Sequence, residues 1–407
     1  MRQTKLFTKT TKDTPKGEEA KNAQLLIRAG FINKEMAGVY SFLPLGLRVI
    51  RKIEAIIRDE MDNTLNASEI FMPALHPLEN YEKTGRDNID VLFRTELATG
   101  RSLVLGQSHE EVVVPLAKNH IFSYRDLPVY VYQIQNKFRN ELRAKSGILR
   151  GREFSMKDLY SFHVDEEDLN RYYEQSKKAY KNIFERAGIG DSTYMTFADG
   201  GTFSKYSHEF QTVTEAGEDI IHLCSDCEVA INEEIIDEQE KCPECGEKSK
   251  LVEKKAIEVG NIFKLKTKFS DAFNLTYTDE DGKEKPVYMG CYGIGVGRLM
   301  GAVLEVNSDK NGMIWPEEIA PYQVHLIPIG DKAREKAEEI YENFDQEILY
   351  DDRDTSVGDK FADADLMGIP YRVVISDKTL KKDSVEIKKR SEEEEKLVKI
   401  DNLQSYV

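Results

Sequence analysis

The sequence predicts an α+β protein with an antiparallel sheet, followed by a separate α/β domain with a mixed sheet. Three observations lead there. Residues 128–138 (PVYVYQIQNKF) alternate as a strand does, and 153–162 (EFSMKDLYSF) offer an antiparallel partner across a charged turn at 139–152. Two CxxC pairs fall inside a hydrophilic stretch at 224–255. From about Pro321 onward strand and helix signals follow one another as β-α-β-α-β.

Taken in order, residues 18–30 (EEAKNAQLLIRAG) read as a helix stopped by Gly30. A longer helix runs from Gly46 to Asp62, with Leu47, Ile50, Ile53, Ile57 and Met61 forming an apolar stripe. It leads into SEIFMP, Ser68–Pro73, a short strand closed by proline. After the charged hairpin, 166–188 reads as an amphipathic helix ending at Gly188. Strands are expected at 256–276 and 286–292, joined by the polar turn 279-DEDGKEKP-286. The run GCYGIGVGRLMGAVLE then enters a helix. In the last part come strand YQVHLIPI, helix 332–344, strand EILYDD, helix 358–367 and strand YRVVIS, with SEEEEK at 391–396 as a hairpin tip or exposed turn. No internal repeat is visible.

Composition narrows the class. The chain has 407 residues, 40% hydrophobic and 32% charged, as a globular protein of two or three domains does. No apolar run approaches the ~20 residues of a membrane helix, so no membrane role is expected. The opening MRQTKLFTKTTKDTPKGEEA lacks an apolar signal core, and Asp13, Glu18 and Glu19 count against a transit peptide. Five cysteines, four in CxxC pairs, suit a metal in a reducing compartment, and the cytoplasm is expected. The net charge of −16 counts against nucleic acid as a partner, but clustering matters more than the total. Cations cluster in the hairpin and again at Lys378, Lys381, Lys382, Lys388, Lys389 and Arg390. A solvated face is the plain alternative for the second cluster.

The hairpin is the chemically pointed feature. Arg139 ends one strand, with Glu141 two residues on; across the turn lie Arg150, Arg152, Glu153, Phe154 and Asp158. Buried cations need an anion, and the arginine fork suits phosphate or carboxylate. Phe154 offers a flat face on which a base could stack. A bound nucleoside triphosphate would satisfy the set; a salt-bridged surface hairpin is the alternative.

Other segments decide between them. FRNE, a loop, then R-x-x-x-F-x-x-x-D (Arg150, Phe154, Asp158) resembles motif 2 of the class II aminoacyl-tRNA synthetases. The helix and strand ending at Pro73 resemble motif 1, and 293-GIGVGR-298 before an apolar helix resembles motif 3. GQSHEEV, YQIQNKFRNE, SHEF, IEVGNIF, MGCYGIGVGR and YDDRDTSVGDKFADADLMGIPY sharpen this to a resemblance, along nearly the whole chain, to the bacterial-type prolyl-tRNA synthetases. The fold implied is a class II antiparallel sheet flanked by helices over 1–222 and 256–319. A small zinc-ribbon-like insertion would occupy 223–255, and an anticodon-binding domain 320–407.

The resemblance also implies roles. Arg139 would bridge the proline carboxylate and the ATP α-phosphate, and Arg298 would cover the adenine and reach the γ-phosphate; these two are the catalytic candidates. Glu141 would position the adenine, Phe154 stack on it, Arg150 meet the outer phosphates, and Gly295 and Gly297 allow close approach. Magnesium is expected with ATP. Ser108 and Glu110 occupy the family's Thr-x-Glu loop and would hold proline, with His208 and Cys291 at the same pocket. Arg353, Lys360 and Arg390 would face the anticodon of tRNA(Pro), and motif 1 implies a homodimer. The spacing C-x2-C-x14-C-x2-C of Cys224, Cys227, Cys242 and Cys245 approximates a structural zinc site closed by four thiolates. Many bacterial relatives carry a large editing domain between motifs 2 and 3. Here SHEF and IEVGNIF are separated only by 211–256, which leaves no room for one. The rival readings are a non-charging paralogue, a relative charging another amino acid, and a zinc-ribbon binding protein.

Overall fold

The computed structural model describes residues 1–142 and 144–407, which divide into two compact units. The larger comprises Met36–Val39 and Glu54–Ala302; the other joins Met1–Glu35 and Tyr40–Ile53 to Val303–Val407.

The larger unit is built on a nine-stranded sheet. Its strands follow in the order Tyr206–Val213, Thr193–Asp199, Val229–Asn232, Asp219–Cys224, Leu251–Lys266, Tyr288–Gly295, Glu153–His163, Val129–Phe138 and Ser68–Glu69, and Tyr206–Val213 also pairs with Leu251–Lys266. Pairing is antiparallel except for Val229–Asn232 on Thr193–Asp199 and the edge strand Ser68–Glu69 on Val131 and Tyr132. The charged hairpin forms as the alternation predicts, in register from Val129↔Phe162 to Phe138↔Glu153. The helix Glu166–Arg186 starts where Asp165 caps the Asp168 N–H (2.8 Å). It buries Tyr173, Tyr180, Ile183 and Phe184, and one aromatic cluster joins Tyr180, Phe184 and Phe210 of the sheet.

Two expectations for this unit need correction. The strand expected over 256–276 begins earlier, at Leu251, and stops at Lys266; Lys268–Phe273 is a helix. Phe269 and Phe273 are four apart and both buried, which is a helical spacing, and Asn274 ends the turn in the left-handed region (φ 52°). The expected strand Ser68–Pro73 pairs only at Ser68 and Glu69. The long helix spans Pro44–Asp59 and continues as a π-helical turn, Glu60–Thr64.

The second unit carries a five-stranded mixed sheet ordered Ile348–Tyr350, Val324–Ile329, Tyr371–Ser376, Ser384–Lys389, Glu395–Lys399. The first three strands are parallel and linked by the helices Asp331–Asn343 and Val357–Met367; the last two form an antiparallel hairpin. This unit takes in more than the segment from 320 onward, since Val303–Val407 is joined by Met1–Glu35 and Tyr40–Ile53. The amino terminus belongs to this unit, because Met1 donates its ammonium to Ile348 O (2.7 Å) and accepts the Tyr350 N–H (2.8 Å). Arg2 adds a pair to Glu338 (2.6 Å).

Candidate active site

The central cleft of the larger unit is a cavity of about 340 Å³ lined from several strands at once. Ser108, Arg139, Phe154, Asp158, Cys291, Gly295 and Arg298 reach its wall, together with Glu209, Glu258 and the loop Gly200–Phe203. A second recess of about 280 Å³ shares Arg139, Glu209, Glu258 and Arg298 with it and adds Glu141 and Arg150.

Arg139 follows directly from the hairpin geometry. Its N–H donates to Arg152 O (2.8 Å) just past the last paired residues, so the side chain leaves the strand toward the cleft. Its guanidinium lies 5.3 Å from the centre of the Phe154 ring. Its buried Nε has no hydrogen-bond partner among the described residues. Burial, and then the neighbouring Arg298, hold the guanidinium below its usual range, the mark of a cation short of an anion. Arg298 by contrast is tied down: it donates from Nε to Leu149 O (2.9 Å) and from Nη1 to Glu258 O (3.0 Å) and Oε2 (2.8 Å). Arg150, exposed, pairs with Glu141 (3.2 Å) and Glu218 (3.3 Å).

Glycine shapes the remaining wall. Gly295 lines the cleft, and a Cβ there would press on Arg298 Cβ at 3.3 Å. Gly297 is buried in the first turn of the helix Val296–Val306 and does not line the cavity.

Two of the expected proline-site residues stand elsewhere. His208 is turned away from the cleft. Period two along Tyr206–Val213 gives His208 and Glu209 opposite faces. Glu209 faces the cavity, while His208 accepts or donates at Tyr173 OH (2.8 Å) and packs on Phe197 beneath the helix. Burial, then Lys177 and Lys264, push its imidazole down to about 3, so it stays neutral. Glu110 lies behind the wall, fully buried, where its Oε1 accepts from the Cys291 thiol (3.0 Å) and its Oε2 from Arg86 (3.3 Å). Ser108 and Cys291 do reach the cavity.

The residues that sequence reasoning passed over are carboxylates. Glu209 pairs across the sheet with Asn261, whose Nδ2 donates to Glu209 Oε1 (3.2 Å) and Glu258 Oε1 (3.0 Å). Glu258 and Asn261 are three apart and would point to opposite faces of a regular strand. Between them the register skips from Phe210↔Gly260 to Gln211↔Glu258, a bulge that leaves Val259 unpaired and turns both side chains inward. Glycine suits position 260, because a Cβ would press on the rings of Tyr180 (3.1 Å) and Phe184 (3.2 Å). The signal was present in SHEF and IEVGNIF as their glutamates. The donor set, two carboxylates sharing one face, suits a hard divalent cation such as magnesium.

In the other unit, the cations expected to face the anticodon are engaged internally. Arg353 bonds both Asp351 oxygens (2.9 and 2.8 Å) and Asp363 (2.7 Å). Lys360, buried, donates to Asp351 O (3.0 Å), and Arg390 grips both oxygens of Asp309 (2.9 and 2.7 Å). These three stabilise their own unit as they stand.

The four cysteines converge. Their sulfurs all lie within 4.8 Å of one another, with Cys224 and Cys245 3.8 Å apart. The two CxxC turns are built alike. Glu228 N–H returns to Cys224 O (3.2 Å) and Gly246 N–H to Cys242 O (2.9 Å). Glu228 and Gly246 both take positive φ, 55° and 73°. A tetrahedron of thiolates about 2.3 Å from zinc has edges of about 3.8 Å, so the cluster fits that ion.

Comparison with known proteins agrees with this architecture. Residues 93–307 match the tRNA synthetase class II core domain (G, H, P, S and T), and 323–407 the anticodon binding domain. The fold and its cleft thus define a class II aminoacyl-tRNA synthetase. Proline--tRNA ligase of Moorella thermoacetica is 31% identical over all of this chain and 98% of its own length. That of Persephonella marina is 33% identical over the whole of both chains. The chain belongs to the prolyl-tRNA synthetase family. A solved structure, Giardia lamblia prolyl-tRNA synthetase in complex with prolyl-adenylate, shares the fold with a TM-score of 0.77 at 18% identity, covering 93% of this chain and 74% of that one. The Moorella alignment runs over 565 positions against 407 residues here, so that relative carries a long segment absent from this chain. Between 211 and 256 this chain holds strands and the cysteine module, with no space for an editing domain.

Burial, then the charge of Glu258, pushes the Glu209 carboxyl up to about 8 from an ordinary 4.5. A carboxyl that keeps its proton in the fold while the unfolded chain ionises makes the fold lose stability as pH rises from about 4.5 to about 8. In magnesium-free buffer, Glu209→Gln should flatten that slope and add on the order of 2 kcal/mol at pH 8. Urea titrations at pH 5 and pH 8 measure it; an unaltered slope would mean that Glu209 is already ionised in the folded protein.

Proposed function

We infer that the protein activates L-proline with ATP, forming prolyl-adenylate and pyrophosphate, and transfers the prolyl group to the 3′ end of tRNA(Pro), without editing in cis. The observation that carries this reading is Arg139: a cation in a cleft with an aromatic ring beside it and a buried donor left unused.

Activation asks little covalent chemistry of the protein. The proline carboxylate is already a nucleophile, and pyrophosphate leaves from the α-phosphorus. The difficulty is bringing two anions together, and Arg139 is placed to neutralise the charge that concentrates between them. Phe154 supplies a face for the adenine, and Glu141 in the adjoining recess an acceptor for its amino group. Gly295 permits close approach of the nucleotide, and Arg298 and Arg150 stand ready for its ring and outer phosphates. Glu209 and Glu258 would hold magnesium, which supplies charge neutralisation for the triphosphate. At the amino-acid end, Ser108 and Cys291 line the wall, with the Glu110 carboxylate behind them as the counter-charge for a secondary ammonium.

The domain at 323–407 is proposed to bind the anticodon. Arg353, Lys360 and Arg390 would act there as internal ties, leaving the exposed Lys378, Lys381 and Lys382 as cations free to meet RNA. The cysteine module is proposed to hold a structural zinc ion, with its coordination closed by Cys224, Cys227, Cys242 and Cys245. Free cysteines suit a cytoplasmic setting. No helix is long and apolar enough to cross a membrane among the described residues. A homodimer is proposed through the motif 1 segment, where Phe71 (77% exposed) and Leu75 (50%) flank Pro73.

Pyrophosphate exchange into ATP, run with each of the twenty amino acids, tests the activity. Proline should stand alone above the blank, apart from weaker exchange with small mimics, and Arg139→Ala should cut it by about 3–4 kcal/mol of barrier, roughly 10²–10³ in rate. Exchange at the blank level with proline would refute the reading. Elemental analysis of protein prepared without chelators should find one zinc per chain, and Cys245→Ser should release it and lower the melting temperature; less than half an equivalent in the unaltered chain would remove the metal. Sedimentation at micromolar concentration should give a dimer, and a clean monomer would remove that proposal.

A further inference from the structure

The helix α1, Leu78–Thr84, ends at Gly85, whose φ of +68° turns the chain sharply. Arg86 N–H returns to Tyr81 O (2.9 Å), and the turn delivers the Arg86 side chain into the interior, 3% exposed. There Nη1 donates to Glu111 Oε1 (2.9 Å) and Glu110 Oε2 (3.3 Å), both carboxylates being fully buried. One cation cannot neutralise two anions. Burial, offset in part by Arg86 and reinforced by the neighbouring Glu110, pushes the Glu111 carboxyl up to about 7. The other Glu110 oxygen accepts from the thiol of Cys291 in the cavity wall (3.0 Å).

The same helix turn grips the rest of this segment. Asn80 donates to Glu111 O (2.8 Å), Tyr81 OH to Ser108 O (3.3 Å) and Thr84 to Glu111 Oε1 (2.9 Å). On its other side the guanidinium faces two rings, Phe203 at 4.5 Å and Phe269 at 5.4 Å from their centres. Phe203 belongs to the loop Gly200–Ser204 that lines the cavity, and it packs on Phe263, also in the wall, at 4.6 Å. Arg86 touches no part of the cavity itself, yet it contacts both sides of one end of it.

We propose that Arg86 is a positioning residue for the amino-acid end of the cleft: it holds Glu110 behind the Ser108–Cys291 wall and seats Phe203, and with it the 200–204 loop, over that end. The inference rests on the reading of the cleft as a proline-activating site. A buried arginine that merely neutralised two glutamates would affect stability without favouring one substrate over another. A positioning residue acts selectively, because among the described residues the side chain of Arg86 bonds and stacks with Glu110, Glu111, Phe203 and Phe269 rather than with the nucleotide-facing groups Arg139, Glu141 and Phe154.

Proline-dependent pyrophosphate exchange by the full chain, comparing wild type, Arg86→Lys and Phe203→Leu, separates the two roles. Lysine keeps the charge but cannot span two carboxylates and stack on a ring. Leucine keeps much of the apolar volume and removes the ring. Both variants should raise the KM for proline about tenfold or more while the KM for ATP stays within about twofold. If Arg86→Lys does not fold, as its circular dichroism would show, Phe203→Leu decides alone. An unchanged proline KM in the folded variants, or equal changes for both substrates, overturns the proposal while the functional reading stands. Absence of proline-dependent exchange in the wild-type chain overturns both.

Discussion

Beneath the cleft the Lys137 ammonium meets Asp158 Oδ1 at 2.6 Å, with both side chains out of solvent. The other Asp158 oxygen accepts from Gln133 Nε2 (2.9 Å) and Tyr160 OH (2.8 Å). Gln133 in turn accepts the Met72 N–H (3.0 Å), and Tyr160 OH the His109 N–H (3.0 Å). One carboxylate thus ties together the hairpin, the segment that follows Ser68–Glu69 and the turn that carries Ser108. Such a pair contributes little net stability, since desolvation offsets its attraction, but it penalises every arrangement that leaves one partner alone. The position of Arg139, two residues beyond Lys137, and that of Ser108 are both set from this point.

A consistent electrostatic division follows. Lys137 is met by Asp158, Arg353 by Asp351 and Asp363, and Arg390 by Asp309. Arg139 is the one described hairpin arginine with a buried donor left over. Opposite it, the carboxyl groups of Glu209 and Glu258 share the same wall, close enough that Glu258 helps push the Glu209 carboxyl up. A cleft with an unpaired guanidinium donor on one side and a close carboxyl pair on the other is what the proposed ligand, a triphosphate with its metal, would require.

Much of this was legible in the sequence. The hairpin was readable because its strands alternate cleanly, and the cysteine module because thiolate spacing is strict. The helix at 268–273 was not, because six residues between two strand-like runs carry too little periodic signal to compete with them. Glu209, not His208, faces the cavity, since a motif names residues but only strand pairing says which face each one takes. Arg353, Lys360 and Arg390 read as available cations because their carboxylate partners, apart from the near neighbour Asp351, become adjacent only when the unit folds. Met1 gave no signal at all; its anchor on Ile348 and Tyr350 is a contact across almost the whole length of the chain.

The single unpaired residue at Val259 acts as a change of parity. On its carboxyl side, the strand Leu251–Lys266 is in phase with Tyr288–Gly295 and the glycine-rich wall. On its amino side, the same strand is in phase with Asp219–Cys224 and the cysteine module. Removing that residue would bring Ile257 where Glu258 now stands, an apolar side chain among the charged groups of the cleft. Keeping it decouples the two halves. Whatever precedes Ala256 can be lengthened, shortened or exchanged for another module, and the cleft keeps its pattern as long as this one-residue offset survives.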